Sequence, residues 1–125
     1  MDRVKRLLII NDEPSMLNQM ERWLSDADYH VESTLYGKEG VELAQQEQFD
    51  LIVLDFNLKK ETEGEKTAKA FIPQFIAANP STPIIVVSAT NGSITVEELG
   101  VSNVLIVDST FWRKLLDLVK ETINN

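Results

Sequence analysis

The 125-residue sequence contains no cysteine, which excludes a disulfide framework and a thiolate metal site. Basic residues are outnumbered, with 12 Lys and Arg against 20 Asp and Glu, a formal net charge of −8 and a pI near 4.6. That balance argues against direct nucleic-acid binding, which needs clustered cations on phosphates, and against an anionic membrane surface. Long apolar runs are missing too. The basic start MDRVKRLLII is interrupted by Asp12 and Glu13, too early for a signal peptide or a membrane span. There are no internal repeats and no low-complexity tract, and His30 is the only histidine.

What remains is enough for one compact domain over residues 1–125, with 43% hydrophobic residues to build a core. Residues 4–10 form a short apolar run suited to a strand buried on both faces. From Pro14 the spacing turns helical, through Met16, Met20, Trp23, Leu24 and Ala27. A weaker strand follows at residues 29–35, and a polar helix at 37–48 offers Val41, Leu43 and Ala44 for packing. FDLIVLDF then gives a continuous apolar strand over 51–54 that ends in Asp55. The charged loop NLKKETEG leads to a helix over about 65–78, with Ala68, Phe71, Ile72, Phe75 and Ile76 inward. Pro73 inside that helix predicts a kink costing about 3 kcal/mol. PIIVVSAT is a fourth strand, ending near Ser88. A short helix at about 95–99, closed by Gly100, precedes a fifth strand at 104–107. The last helix, at about 110–123, carries Trp112, Leu115, Leu116, Val119 and Ile123. Trp23 and Trp112 are read as packing residues, and His30 as a surface residue.

The alternation βαβαβαβαβα predicts an α/β fold, a doubly wound five-stranded parallel sheet in flavodoxin-like order 2-1-3-4-5 with helices on both faces. Functional groups in such sheets collect beyond the carboxyl ends of the strands where strand order reverses, here between the first and third. The first strand ends in Asn11, Asp12 and Glu13 and the third in Asp55, so two distant acids should share a pocket. Close carboxylates resist joint ionisation, and a hard divalent cation relieves the repulsion. Mg²⁺ fits best, because it accepts one or two carboxylates together with waters and phosphate oxygens. Ser88 would add a hydroxyl beside the site. The plain alternative is that residues 11–13 only cap the first helix.

Three segments together, LIINDEP, DLIVLDFNL and TPIIVVSA, resemble the receiver domains of bacterial two-component response regulators, over about residues 4–123. The resemblance implies that Asp55 accepts a phosphoryl group from the phosphohistidine of a histidine kinase or phosphotransfer protein. It implies that Asp12, Asp55 and the backbone carbonyl of Asn57 hold Mg²⁺ (or Mn²⁺), with Asn11 or Glu13 as a further candidate ligand. Ser88 would hydrogen-bond the phosphoryl oxygens. The module would be a cytoplasmic signalling protein and not an enzyme. It would modulate a contact with a downstream protein or an output domain, with room for a weak homodimer.

Several positions depart from the family pattern. Asn11 replaces the first acid of a pair. The lysine expected after the fifth strand falls on Val107 or Asp108, and no lysine lies between Lys69 and Lys114. The aromatic position three residues earlier is Val104 or Leu105. Where the family usually has Leu-Pro after the acceptor, this chain has Leu58–Lys59, in a loop one residue longer; Lys59 or Lys60 could supply the missing cation. The fourth helix is short. An inward Asp108 would repel a phosphorylated Asp55. The fifth strand and the short fourth helix support a second reading, a pseudo-receiver that binds proteins without phosphorylation, whereas Asp12, Asp55 and Ser88 support phosphoacceptor chemistry, which is the preferred reading. An aspartate-nucleophile phosphatase is disfavoured because Asn57 stands where a second acid would be needed. A flavodoxin is disfavoured because the first strand-to-helix turn lacks a phosphate-cradling loop.

Overall fold

The continuous apolar runs become strands because they can be buried on both faces of one sheet. The computed structural model describes residues 3–59, 67–89 and 94–123. The elements are β1 (Arg6–Ile10), α1 (Pro14–Asp26), β2 (His30–Thr34), α2 (Gly37–Gln46), β3 (Leu51–Asp55), a 3₁₀ turn (Ala68–Ala70), α3 (Ile72–Ala78), β4 (Ile84–Ser88), α4 (Val96–Leu99), β5 (Asn103–Ile106) and α5 (Phe111–Ile123). All four strand pairings are parallel, and the order is β2-β1-β3-β4-β5, as the alternation predicts. Among the described residues, no helix is long and apolar enough to cross a membrane.

Period-two alternation divides the core into two layers. Leu7, Ile9, Leu51, Val53, Ile85, Val87 and Leu105 face α1 and α5, meeting Leu17, Met20, Leu24, Phe111, Leu115 and Val119. Leu8, Ile10, Ile52, Leu54, Ile84 and Val86 face the opposite way, meeting Val41, Phe71, Ile72 and Phe75. The last helices thus differ in which side they cover, and the β1–β3 boundary lies between the two windings.

Three readings of the helices need correction. Trp23 is 43% exposed, because α1 buries Leu17, Met20 and Leu24 and turns Trp23 to the rim. There its ring meets Trp112, with centroids 5.8 Å apart. Ile76 is likewise exposed on α3. Pro73 causes no kink. The 3₁₀ turn ends first and α3 begins at Ile72, so Pro73 sits in the first turn, where no N–H partner is lost. Residues 65–66 of the expected third helix, Lys60 and most of the charged loop lie outside the described residues. His30 is exposed beside Glu32, and Gly100 closes α4 at φ 70°, both as read from sequence.

The contact between α2 and the sheet depends on Gly40. A Cβ there would lie 2.7 Å from Ile10 Cγ1 and 3.3 Å from Phe75 Cζ, and both of those side chains are fully buried. Alanine would gain about 1 kcal/mol of helix propensity. Overpacking a closed core costs about 1–3 kcal/mol, so the steric term wins. Gly40→Ala should therefore lower stability by up to about 2 kcal/mol, read as a lower urea midpoint with unchanged slope.

Candidate functional site

Strand register brings the acids together. Ile10 pairs with Leu54, so the chains leave the sheet side by side at Asn11 and Asp55. Asp55 in turn pairs with Val87, one residue before Ser88. The Asp12 carboxyl lies close enough to that of Asp55 to raise its pKa. Ser88 is fully buried at the end of β4.

The turn that delivers Asp12 is built by its neighbours. Asn11 is buried; its Nδ2 donates to Met20 Sδ at 3.8 Å, and its Oδ1 accepts from the Glu13 N–H at 3.0 Å. Glu13 caps α1, with Oε1 accepting from the Ser15 N–H at 3.2 Å and Oε2 from the Met16 N–H at 3.1 Å. Pro14 needs no partner at the first helical position. Capping is therefore correct for Glu13, whose carboxylate serves the helix end, and Asn11 orders the turn. Of the three, Asp12 is the one whose charge acts on Asp55.

On the other side, the main-chain N–H of Lys59 donates to Asp12 Oδ2 at 2.8 Å. No motif pointed to this contact. The signal was nevertheless in the sequence, since a lysine in place of a proline restores an N–H. Among the described residues, no ion pair involves Asp12 or Asp55. Val107 and Asp108 do not fill the lysine position with a cation, and Asp108 does not point inward. Its side chain is 48% exposed, and its Oδ1 accepts from the Thr110 N–H at 2.8 Å and Oγ1 at 2.6 Å. Those two hydrogen bonds hold its carboxyl below the usual range.

The family model for the response regulator receiver domain matches residues 7–108, spanning every segment of this site. The chain belongs to that family. The response regulator ArlR of Staphylococcus aureus is 31% identical over 84 residues, covering 67% of this chain and 36% of the relative. The chain thus spans about a third of the length of the curated relatives it matches. Among solved structures, a CheY-like receiver domain protein from Methanospirillum hungatei superposes with a TM-score of 0.82 at 22% identity, covering 98% of this chain and 95% of that one. Chemotaxis protein CheY4 of Vibrio cholerae gives 0.81 at 22% identity, covering 96% and 99%. TrrA of Thermotoga maritima, solved in complex with Mg(2+)-BeF, gives 0.77 at 20% identity, covering 95% and 99%. At these identities the structural likeness speaks for the fold.

In this receiver the acid pair is electrostatically uncomfortable. Burial, the adjacent Asp12 charge and the capacity of protonated Asp55 to donate to Asp12 push the Asp55 pKa up to about 7, against opposing main-chain N–H groups of Asn57 and Phe56. The two side chains brought together, Asp12 and Asp55, are hard oxygen donors. Among the described residues there is no group of three or more His, Cys, Asp or Glu side chains that could hold a metal ion. Mg²⁺ or Mn²⁺ fits the acid pair, because such ions keep several waters and need few protein ligands.

A pH dependence follows. Unfolded, Asp55 ionises near 3.8; folded, near 7. Between those values the native state binds the extra proton, so stability falls as pH rises through the window. Without divalent cations, urea unfolding should show a loss of roughly 2–4 kcal/mol between about pH 4 and about pH 8. Asp55→Asn should flatten that slope and be the more stable protein at the alkaline end.

Proposed function

We propose that this receiver takes a phosphoryl group onto Asp55 from the phosphohistidine of a histidine kinase or phosphotransfer protein. The observation that carries this is the juxtaposition of Asp12 and Asp55 beyond the carboxyl ends of β1 and β3, with Ser88 at the end of the neighbouring β4. In the ionised form, a carboxylate oxygen of Asp55 attacks phosphorus, the P–N bond breaks, and the histidine leaves with its electron pair. The nearby main-chain N–H dipoles of Asn57 and Phe56 favour the ionised Asp55 carboxyl. The Ser88 hydroxyl donates to a phosphoryl oxygen. Asp12, Asp55 and the Asn57 carbonyl would hold Mg²⁺ (or Mn²⁺), which when bound supplies positive charge against the carboxylates and the phosphoryl oxygens.

In this reading the protein is a phosphoryl acceptor in the cytoplasm and not an enzyme with a substrate of its own. Its product state acts by altering a contact with a downstream protein or an output domain. Phosphorylation of Asp55 adds roughly −1.5 to −2 charges at neutral pH to a pocket in which no cationic side chain pairs with Asp55 among the described residues.

Incubation with acetyl phosphate and Mg²⁺ tests the reading by intact mass. The wild type should gain one phosphoryl group, Asp55→Asn and chelator-treated protein none, and Ser88→Ala should react about 10–100-fold more slowly. An adduct that persists in Asp55→Asn would contradict the assignment. A wild type that neither reacts nor binds Mg²⁺ would instead be a phosphorylation-independent binding module.

A further inference from the structure

The acid pocket is closed on its loop side by main chain. Asp12 lies in the β1–α1 turn and Lys59 follows β3, 47 residues away, yet the Lys59 N–H reaches Asp12 Oδ2 at 2.8 Å. The segment carrying that N–H is held on both sides. The Phe56 N–H donates to the Val87 carbonyl at 2.8 Å, and the Phe56 carbonyl accepts from the Ala68 N–H at 2.7 Å. Asn57 bridges to Thr67, and the Leu58 side chain is fully buried. The Lys59 N–H is therefore a fixed dipole aimed at a carboxylate.

We propose that Lys59 is a positioning residue whose main-chain N–H orients the Asp12 carboxylate toward Asp55 for divalent-cation binding. This rests on the metal-dependent acceptor role proposed above and adds to it the group that keeps Asp12 in place. Two anionic side chains swing apart unless something holds them. One carboxyl of the pair belongs to Asp55, the last residue of β3. The other stands on a turn and has the Lys59 N–H as its anchor. Hydrogen bonds to a ligating carboxylate fix its rotamer, and removing such an outer partner typically weakens metal binding about 10–100-fold. The role belongs to the backbone, so it is indifferent to the ammonium group and lost only when the N–H is lost.

Two substitutions separate those alternatives. Lys59→Ala removes the ammonium and keeps the N–H, whereas Lys59→Pro removes the N–H. Calorimetric titration of the metal-free protein with MgCl₂ should give near wild-type affinity for Lys59→Ala and about 10–100-fold weaker binding for Lys59→Pro. Equal binding by Lys59→Pro and wild type overturns the inference and leaves the acceptor role standing. An equal loss in both variants overturns it too, by assigning the effect to the ammonium. A wild type that binds no Mg²⁺ overturns the acceptor role and this inference together. Should Lys59→Pro fail to fold, amide hydrogen exchange at Lys59 in the metal-free protein decides. Protection in the wild type that disappears in Asp12→Ala supports the contact, and an unchanged exchange rate refutes it.

Discussion

Two acids brought side by side at the end of a parallel sheet set the terms for everything around them. Neither is there by local preference. Asp12 arrives from β1 and Asp55 from β3, and only the pairing of Ile10 with Leu54 makes them neighbours. The pairing itself is enforced by burial, because a slip of one residue would turn Leu8 and Ile10 to the wrong layer. Hydrophobic packing on both faces thus opposes electrostatics at the edge. The repulsion it creates needs a counter-charge, from a proton or from a cation.

The two ends of β3 show how differently the same residue type can be treated. Asp50, just before the strand, accepts two hydrogen bonds from Arg3 and one from the Arg6 N–H. Burial works against its ionisation, but those partners win and hold its carboxyl below the usual range. Nearby, Arg6 also pairs with Glu47 and lies over the Phe49 ring. That end is a satisfied structural clasp. At the other end Asp55 meets a second acid, and its pKa moves the opposite way. Acids perturbed in this way cluster at functional sites.

Much of this was legible in the sequence, for stated reasons. Apolar runs bounded by polar residues located the strands, and alternation with helices dictated the order. The residues alone put Asp12, Asp55 and Ser88 together, because each ends a strand at or beside the reversal of strand order. Helix phase was harder to read. Met20 and Leu24 suit two overlapping stripes on α1, one with Trp23 and one with Leu17, and only packing against β1 and α5 selects the second. Pro73 misled because its meaning depends on where the helix starts, and the preceding turn is 3₁₀. The Lys59 contact was missed because motif reasoning follows side chains, and the group that matters is an N–H. The threat assigned to Asp108 vanished for a local reason: Thr110 offers it two donors.

The central claim is that Asp55 is kept from ionising normally by its buried neighbour and is released by a divalent cation. Carbon NMR of the aspartate side-chain carboxyls, titrated with pH on metal-free protein and again with saturating Mg²⁺, reads this directly. Without metal the Asp55 carboxyl should titrate with a midpoint near 7, and Mg²⁺ should drive that midpoint well down. A midpoint in the ordinary carboxylate range, unmoved by Mg²⁺, would contradict it.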